Sequence, residues 1–541
     1  MPEYLSPGVY IQEVDEGPRP IEGVGTATAA FVGFSAAGPA NRPVLITNWT
    51  QYVNTFGSAA DGGVRNPYIA GSYLSHAVYA YFLNGGGRCY VTRIVNDTTR
   101  TQEEKVEPLQ LPSRSSKAVP SFLVQAKEAS EQDIEIEVRP PDRLASPPPP
   151  PPTEGDGKKD TKASEQVSDN ELFTLYIRKG NTEETYSNLS LGNKPGARNA
   201  IATVNQASKL VVLSEVKGGT TNVADRTPDL GSYVLSAPAM KNLPQVQTQN
   251  FVGDVSERSG FEGLEAADDV TMVACPDLMA AYQAGLIDKT GVKGVQLAMI
   301  AHCERMGDRV AILDPLPGLS PQEVRQWRLE DANYDSKFAA LYYPWVSIEV
   351  DNRPLTVPPS GHIAGIYARS DTERGVNKAP ANEVVRGALE ADIHLTKGEQ
   401  DVLNPAGVNC IRAFAGRGVR IWGARTLSSD PAWRYINVRR FFNYVEKSIE
   451  QGTQWVVFEP NGPELWARVR RDVGAFLTST WRDGMLSGTS PDQAFFVKCD
   501  EELNPPDVRD RGQLFVEIGL APTKPAEFVV FRLSQWSNGG A

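Results

Sequence analysis

Asp314 closes the apolar run RVAILD, as the Mg²⁺-binding aspartate closes a strand in P-loop NTPases. That chemistry also needs a GxxxxGKS or GxxxxGKT loop to cradle the phosphates, and the sequence has none. Asp314 therefore reads as a core-strand residue that caps the turn beside Pro315. The glycine-rich run NGGGR, Asn84 to Arg88, follows a helix pattern and precedes a strand pattern. A phosphate site needs the reverse order, so that a helix N-terminus points at the anion; the run reads as a tight turn. The four histidines, His76, His302, His362 and His394, show no HExxH or other zinc-ligand spacing. His302 and Cys303 share a helix pattern with Leu297, Ile300 and Met306 and read as core. GFSAAG lacks the spacing of a nucleophile elbow. The acidic runs Glu265 to Asp269 and Cys499 to Glu502 read as solvated loop charge, although a glycosidase carboxylate pair is spatial and leaves no spacing to read. The expectation is no catalytic residue, no metal site and no cofactor.

Composition narrows the classes further. A net charge of -12 over 541 residues opposes a general polyanion-binding surface, which needs a dense basic face. The five cysteines, Cys89, Cys275, Cys303, Cys410 and Cys499, contain no CxxC pair, which suits buried thiols in a reducing compartment. MPEYLSPGVY has neither a basic nor an apolar leader region, so synthesis and assembly in the cytoplasm are expected. No stretch approaches the roughly 20 apolar residues of a membrane helix.

The elements that must position any site are read from periodicity. TATAAFVGFSAAGP reads as a buried strand, SYLSHAVYAYFL as a helix with Leu74, Val78, Tyr81 and Phe82 near one face, and RCYVTRIV as a strand after an Asn84-Gly85 stop. From about Asn96 to Asn250 the pattern turns β-rich, with DIEIEVR, ELFTLYIRKG, KLVVLSEV and SYVLS as strands and one helix near Ala197 to Gln206. Six consecutive prolines and a charged run inside this region, Ala145 to Ser164, predict a solvated loop; a ligand for a proline-binding domain is the minor alternative. From about Leu264 strand and helix alternate again: DVTMVACPD, GVQLAMIAHCERMG, RVAILDPLPG, PQEVRQWRLE and FAALYYPWVSIE. Two long helices, Val438 to Gln451 and Pro463 to about Arg482, precede three strands. Near the other end, GVYIQEV alternates like a strand but is followed by the Pro/Gly-rich DEGPRPIEGVG, so its partner lies far along the chain or in another molecule.

The stretch YINVRRFFNYVEKSIEQGTQWVVFEPNGPELWARVRRDVGAFLTSTWRDGML, with AFFVKCD, GQLFVEIGLAP and EFVVFRLSQ behind it, resembles the C-terminal domain of phage tail sheath proteins, in particular those of phage-tail-like contractile injection systems. YLSPGVYIQEVDEGPRP and GVNCIRAFAGRGVRIWGARTLSSD resemble the same family's opening and middle. The resemblance implies an α/β (α+β) sheath core with a β-rich insertion domain and extended N- and C-terminal strand-donating arms. Its implied layout is an N-terminal arm (1–24), core (25–95), β-rich outer insertion with a disordered Pro-rich loop at 140–164 (96–255), core (256–425), C-terminal sheath domain (426–522) and C-terminal arm (523–541).

Such a subunit is non-enzymatic and polymerises around an inner tube in an extended metastable state. It then contracts to drive the tube through a target membrane. The implied partners are the chain itself, the inner tube protein, baseplate and terminal cap proteins and an AAA+ ATPase, with no nucleic acid and no direct membrane insertion; the particle is retained or released. By the same resemblance Val9, Tyr10, Ile11, Gln12, Glu13 and Val14 form one donated strand and Phe528, Val529, Val530, Phe531, Arg532 and Leu533 the other. The acceptor hairpin comprises Phe495, Phe496, Val497, Leu514, Phe515, Val516, Glu517 and Ile518. Arg468, Arg470, Arg471 and Arg482 face an acidic tube; as plain helix chemistry they equally read as a solvated face with pairs such as Arg468 to Asp472. The rival class is an α/β enzyme with a β-rich substrate-binding insertion.

Overall fold

The computed structural model of the chain describes residues 20–59, 65–95, 108–115, 120–127, 133–142, 169–180, 182–192, 198–216, 223–235 and 243–532. The uninterrupted apolar runs Ala29–Gly33, Val310–Leu313 and Ala339–Tyr343 are buried along their whole length. Such runs require cover on both faces, which parallel sheets receive from crossover helices. They form the centre of an eight-stranded sheet ordered Val44–Ile46, Cys89–Arg93, Ala29–Gly33, Met272–Ala274, Val310–Leu313, Ala339–Tyr343, Val408–Phe414, Gly418–Ile421. The neighbours from Cys89–Arg93 through Val408–Phe414 pair in parallel; the two outermost strands pair antiparallel. FAALYYPWVSIE, expected as one strand, is two: Tyr343 ends a central strand, and Val346–Val350 joins a separate three-stranded sheet. Pro344 lies between them, with no amide hydrogen to continue a ladder.

The helices Leu74–Leu83 and Ser360–Arg374 pack against each other at close range. A methyl group at Gly361 would lie 2.4 Å from the Ala77 Cα, and one at Gly365 would lie 2.5 Å from the Tyr81 carbonyl oxygen. Only glycine admits that approach. The NGGGR turn seats on the second helix, where Arg369 donates to the Asn84 carbonyl over 3.1 Å.

The β-rich region folds around its own core of Leu111, Phe122, Val124, Ile136, Leu175 and Leu213, between a five-stranded and a three-stranded sheet. All four strands read from sequence are present, with a helix at Ala200–Ala207. Val246 and Phe251, inside the 96–255 span expected for the insertion, are instead buried in the main core. The proline run lies outside the described residues.

A third cluster joins the helices Ile436–Gly452 and Pro463–Arg482 through Phe441, Val445, Trp466, Val473 and Leu477. Pro463 starts the second helix at its first turn, where its missing amide hydrogen costs nothing. An antiparallel hairpin, Phe495–Lys498 with Glu517–Leu520, packs on this cluster through Phe495, Val497, Ile518 and Leu520.

Candidate functional site

The residues that first suggested chemistry are spent on the fold. Asp314 is buried and accepts from the Ser360 amide over 2.9 Å and the Ser360 hydroxyl over 2.6 Å, so it caps the helix Ser360–Arg374 from another strand's end. Burial, opposed by those two hydrogen bonds, pushes its carboxyl up to about 7. Asp277, which sequence reasoning passed over, does the same for Leu74–Leu83. It accepts from the amides of Phe34 (2.5 Å) and Leu74 (3.2 Å), from the Tyr73 amide and from the Ser72 hydroxyl (2.9 Å). Burial, against these donors, pushes it up to about 6. Beyond the carboxyl ends of two parallel strands, Met272–Ala274 and Val310–Leu313, where open α/β sheets usually bind ligands, these two carboxylates act as helix caps. His302 is buried against Arg309, with burial the main cause and the guanidinium the second in pushing it down to about 4.

Both chain ends lead elsewhere. Val9, Tyr10, Ile11, Gln12, Glu13 and Val14 lie outside the described residues. From Ile21 onward the chain is tied down: Ile21 is buried in the C-terminal cluster against Gly452, where a methyl group would lie 2.7 Å from its side chain. The Val24 amide donates to the Ser448 hydroxyl over 3.1 Å, and the Thr26 hydroxyl donates to Asp371 over 2.6 Å. Asp371 also takes both terminal nitrogens of the buried Arg440, at 2.9 and 2.5 Å, and Arg440 donates to the Thr26 carbonyl over 3.0 Å. The N-terminal segment thereby runs along the helix Ile436–Gly452, with Ile21 and Val24 against its C-terminal part and Thr26 against Arg440 near its start.

The C-terminal segment is held just before the start of that helix, by Tyr435 and by Arg425 and Asn404 of the α/β core. Glu527 receives a forked pair of bonds from Arg425 at 2.8 and 2.7 Å, one from Asn404 at 2.7 Å and one from the Tyr435 hydroxyl at 2.8 Å. Burial works to raise this carboxyl, but the bonds from Arg425, Asn404 and Tyr435 outweigh it and hold it below the ordinary glutamate value. Immediately beyond, Phe528, Val529, Val530 and Phe531 are 72, 68, 79 and 84 % exposed. Phe528 to Arg532 carries no strand pairing among the described residues, and Leu533 lies outside them. Four consecutive large apolar residues held in water have no account in the single chain.

The hairpin is equally incomplete. It has two strands and no third among the described residues, and two strands alone are marginal in water. Leu514, Phe515 and Val516 precede the paired strand, which starts at Glu517; Asn504 holds Phe515 instead, donating to its carbonyl over 2.9 Å and accepting from its amide over 2.7 Å. Side chains still alternate: Leu514, Val516 and Ile518 face the cluster while Phe515 and Glu517 are exposed, as is Phe496 on the partner strand.

The four arginines of Pro463–Arg482 do not share one face. Arg468, Arg471 and Arg482 fall on an exposed stripe with the small residues Ala475 and Ser479. Arg470 turns away and donates to the Cys499 carbonyl. Asp472 is buried and pairs with Arg471 over 2.9 Å, so the Arg468 to Asp472 pair read from spacing does not form; Arg468 reaches Glu459 at 3.7 Å. Among the described residues no helix is long and apolar enough to cross a membrane.

Comparison with known proteins places residues 269–427 on the phage tail sheath protein central domain and residues 428–535 on the phage tail sheath C-terminal domain. The tail sheath protein of Vibrio phage KVP40 is 26 % identical over 235 residues, covering 40 % of this chain and 34 % of its own length; the chain thus spans about a third of that relative. The tail sheath protein of Burkholderia phage BcepMu is 22 % identical over 548 residues, covering 97 % of this chain and 95 % of its own. Among solved structures, the helical sheath of the anti-feeding prophage in its contracted state superposes with a TM-score of 0.55 at 23 % identity, covering 98 % of this chain and 99 % of that one.

Proposed function

Because the chain belongs to the phage tail sheath protein family, we propose that it is the structural subunit of the contractile sheath around the inner tube of a phage-tail-like injection system. The observation that carries this reading is Phe528 to Phe531, an apolar segment exposed just past a firm anchor at Glu527, in a chain whose C-terminal hairpin has two strands among the described residues. Copies of the chain complete each other's hairpins: main-chain hydrogen bonds join donor and acceptor, and alternate side chains set the register. The N-terminal Val9 to Val14 and the C-terminal Phe528 to Leu533 are the donated strands. Phe495 to Val497 and Leu514 to Ile518 are the acceptors. Arg468, Arg471 and Arg482 face the inner tube through exposed, salt-screened contacts that hold without locking. The sleeve assembles long, stores free energy in that state and releases it by shortening, with baseplate and cap proteins at its ends and no nucleotide consumed in the stroke. Assembly takes place in the cytoplasm.

Electron microscopy of the purified full-length chain tests this: sleeves or stacked rings are expected. A strictly monomeric protein that turns over a nucleotide or a glycan would overturn it in favour of an α/β enzyme.

A further inference from the structure

Between the two C-terminal helices the chain makes a short loop, Gln454 to Gly462, whose tip is apolar. Val457 is 64 % exposed and Phe458 is 103 % exposed, the highest of any large apolar residue among the described residues. Phe458 also has φ +68°, a left-handed conformation that an aromatic residue adopts only when its surroundings impose it. Those surroundings are firm. The Asn461 side chain donates to the Gln513 carbonyl over 2.8 Å and accepts from the Trp466 indole over 2.9 Å, while the Glu459 amide donates to the Val456 carbonyl over 3.1 Å. The indole nitrogen of Trp455, two residues before Val457, is buried with no hydrogen-bond acceptor among the described residues. The same short loop therefore holds a strained aromatic in water and an unsatisfied indole, and its own fold gains nothing by the exposed ring.

The tip adjoins the arginine stripe. Arg468 lies 4.4 Å above the Trp455 ring and 3.7 Å from Glu459, the residue after Phe458. We propose that Val457 and Phe458 form an apolar key that seats in a recess of the inner-tube subunit, beside the acidic surface faced by Arg468 and Arg471. The inference rests on the reading of that stripe as tube-facing. The juxtaposition sets the occupant's chemistry: an apolar pocket rimmed by carboxylates matches a rigid aromatic flanked by guanidiniums. The key supplies a salt-insensitive part of the contact and the arginines a screened part.

The test is co-sedimentation of the full-length chain with preformed inner tubes of the same particle, between about 0.1 M and about 1 M salt. Phe458→Ala is expected to weaken binding at least about tenfold and to abolish the fraction that survives high salt. Phe458→Gly should bind as weakly while melting no lower than wild type, since glycine accepts the left-handed backbone. Arg468→Gln with Arg471→Gln should instead lose binding at low salt and keep the salt-resistant part. Unchanged tube binding by Phe458→Ala beside a loss in the arginine pair overturns the key and leaves the stripe reading standing. Loss in Phe458→Ala alone removes the stripe on which the inference rests and overturns the proposal as stated; no loss in either overturns both. Failure of Phe458→Ala to form sleeves without tubes would place the tip against a second copy of this chain and overturn the proposal.

Discussion

Asp314 and Glu527 are two carboxylates that the protein titrates in opposite directions. Asp314 is raised to about 7 by burial, so protons bind it more tightly in the folded chain than in the unfolded one. Its contribution to stability is fully present below the ordinary aspartate range, about 3.9, and is lost as pH rises through about 7. Asp314→Asn removes that titration. The margin in melting temperature of wild type over Asp314→Asn should therefore shrink by a few degrees from pH 5 to pH 8; a margin that widens would contradict the assignment. Glu527 runs the other way. Its carboxyl is held low by Arg425, Asn404 and Tyr435 against the pull of burial, so its anchoring is present above the ordinary glutamate range and fades as pH falls through its lowered value. Glu527→Gln breaks the forked pair with Arg425 and should free the chain at its root. Faster hydrogen exchange at the Thr523 amide, which donates to the Met485 carbonyl over 3.3 Å, would register that release, with global melting changed little. Neither role is written in local sequence: Arg425 and Glu527 lie 102 residues apart, and Asp314 caps a helix that begins 46 residues later.

Elements with strong periodicity were legible, and those defined by a partner were not. The helix Pro463–Arg482 and the central strands Ala29–Gly33 and Val310–Leu313 are readable from apolar spacing alone, whereas Val44–Ile46 was not legible as a strand. Thr182–Ser190 was not, because TEETYSNLS is polar and is a strand only through its ladder to Phe173–Lys179. The arginine stripe was half legible, since spacing gives the face of each residue but not that Arg470 bends to the Cys499 carbonyl. The proposed donated strands set the next tests. Proline at Val9 or Ile11 removes a ladder donor and fixes φ, so such a chain should melt like wild type yet sediment as a monomer or small oligomer. Truncation after Glu527 keeps the anchor and removes only the exposed segment, and should give the same phenotype. Unfolding or aggregation of either variant would assign the segment to its own subunit's core. Deleting Pro147 to Lys162 should leave sleeves intact under the microscope, because six prolines and a charged run suit solvent rather than a packed contact; loss of sleeves would make that loop an interface.

At the scale of the whole molecule, three cores divide the described residues, and the two segments proposed to knit a sleeve are held beside opposite ends of one helix. Ile21 packs at Gly452, the last residue of the helix Ile436–Gly452, and Glu527 is held by Tyr435, the residue before its first. Seventeen residues at about 1.5 Å each separate these roots by about 25 Å of continuous helix. In a sleeve joined at both ends, tension from one neighbour enters this rod at one tip and passes to the next neighbour from the other. Because Arg425, bonded to Asn409 of the strand Val408–Phe414, and Asn404 share the hold on Glu527, that tension also reaches the edge of the eight-stranded sheet. If both segments are donated, such a lattice is a net of helical struts joined at strand-paired knots, and the knots are where it is expected to give.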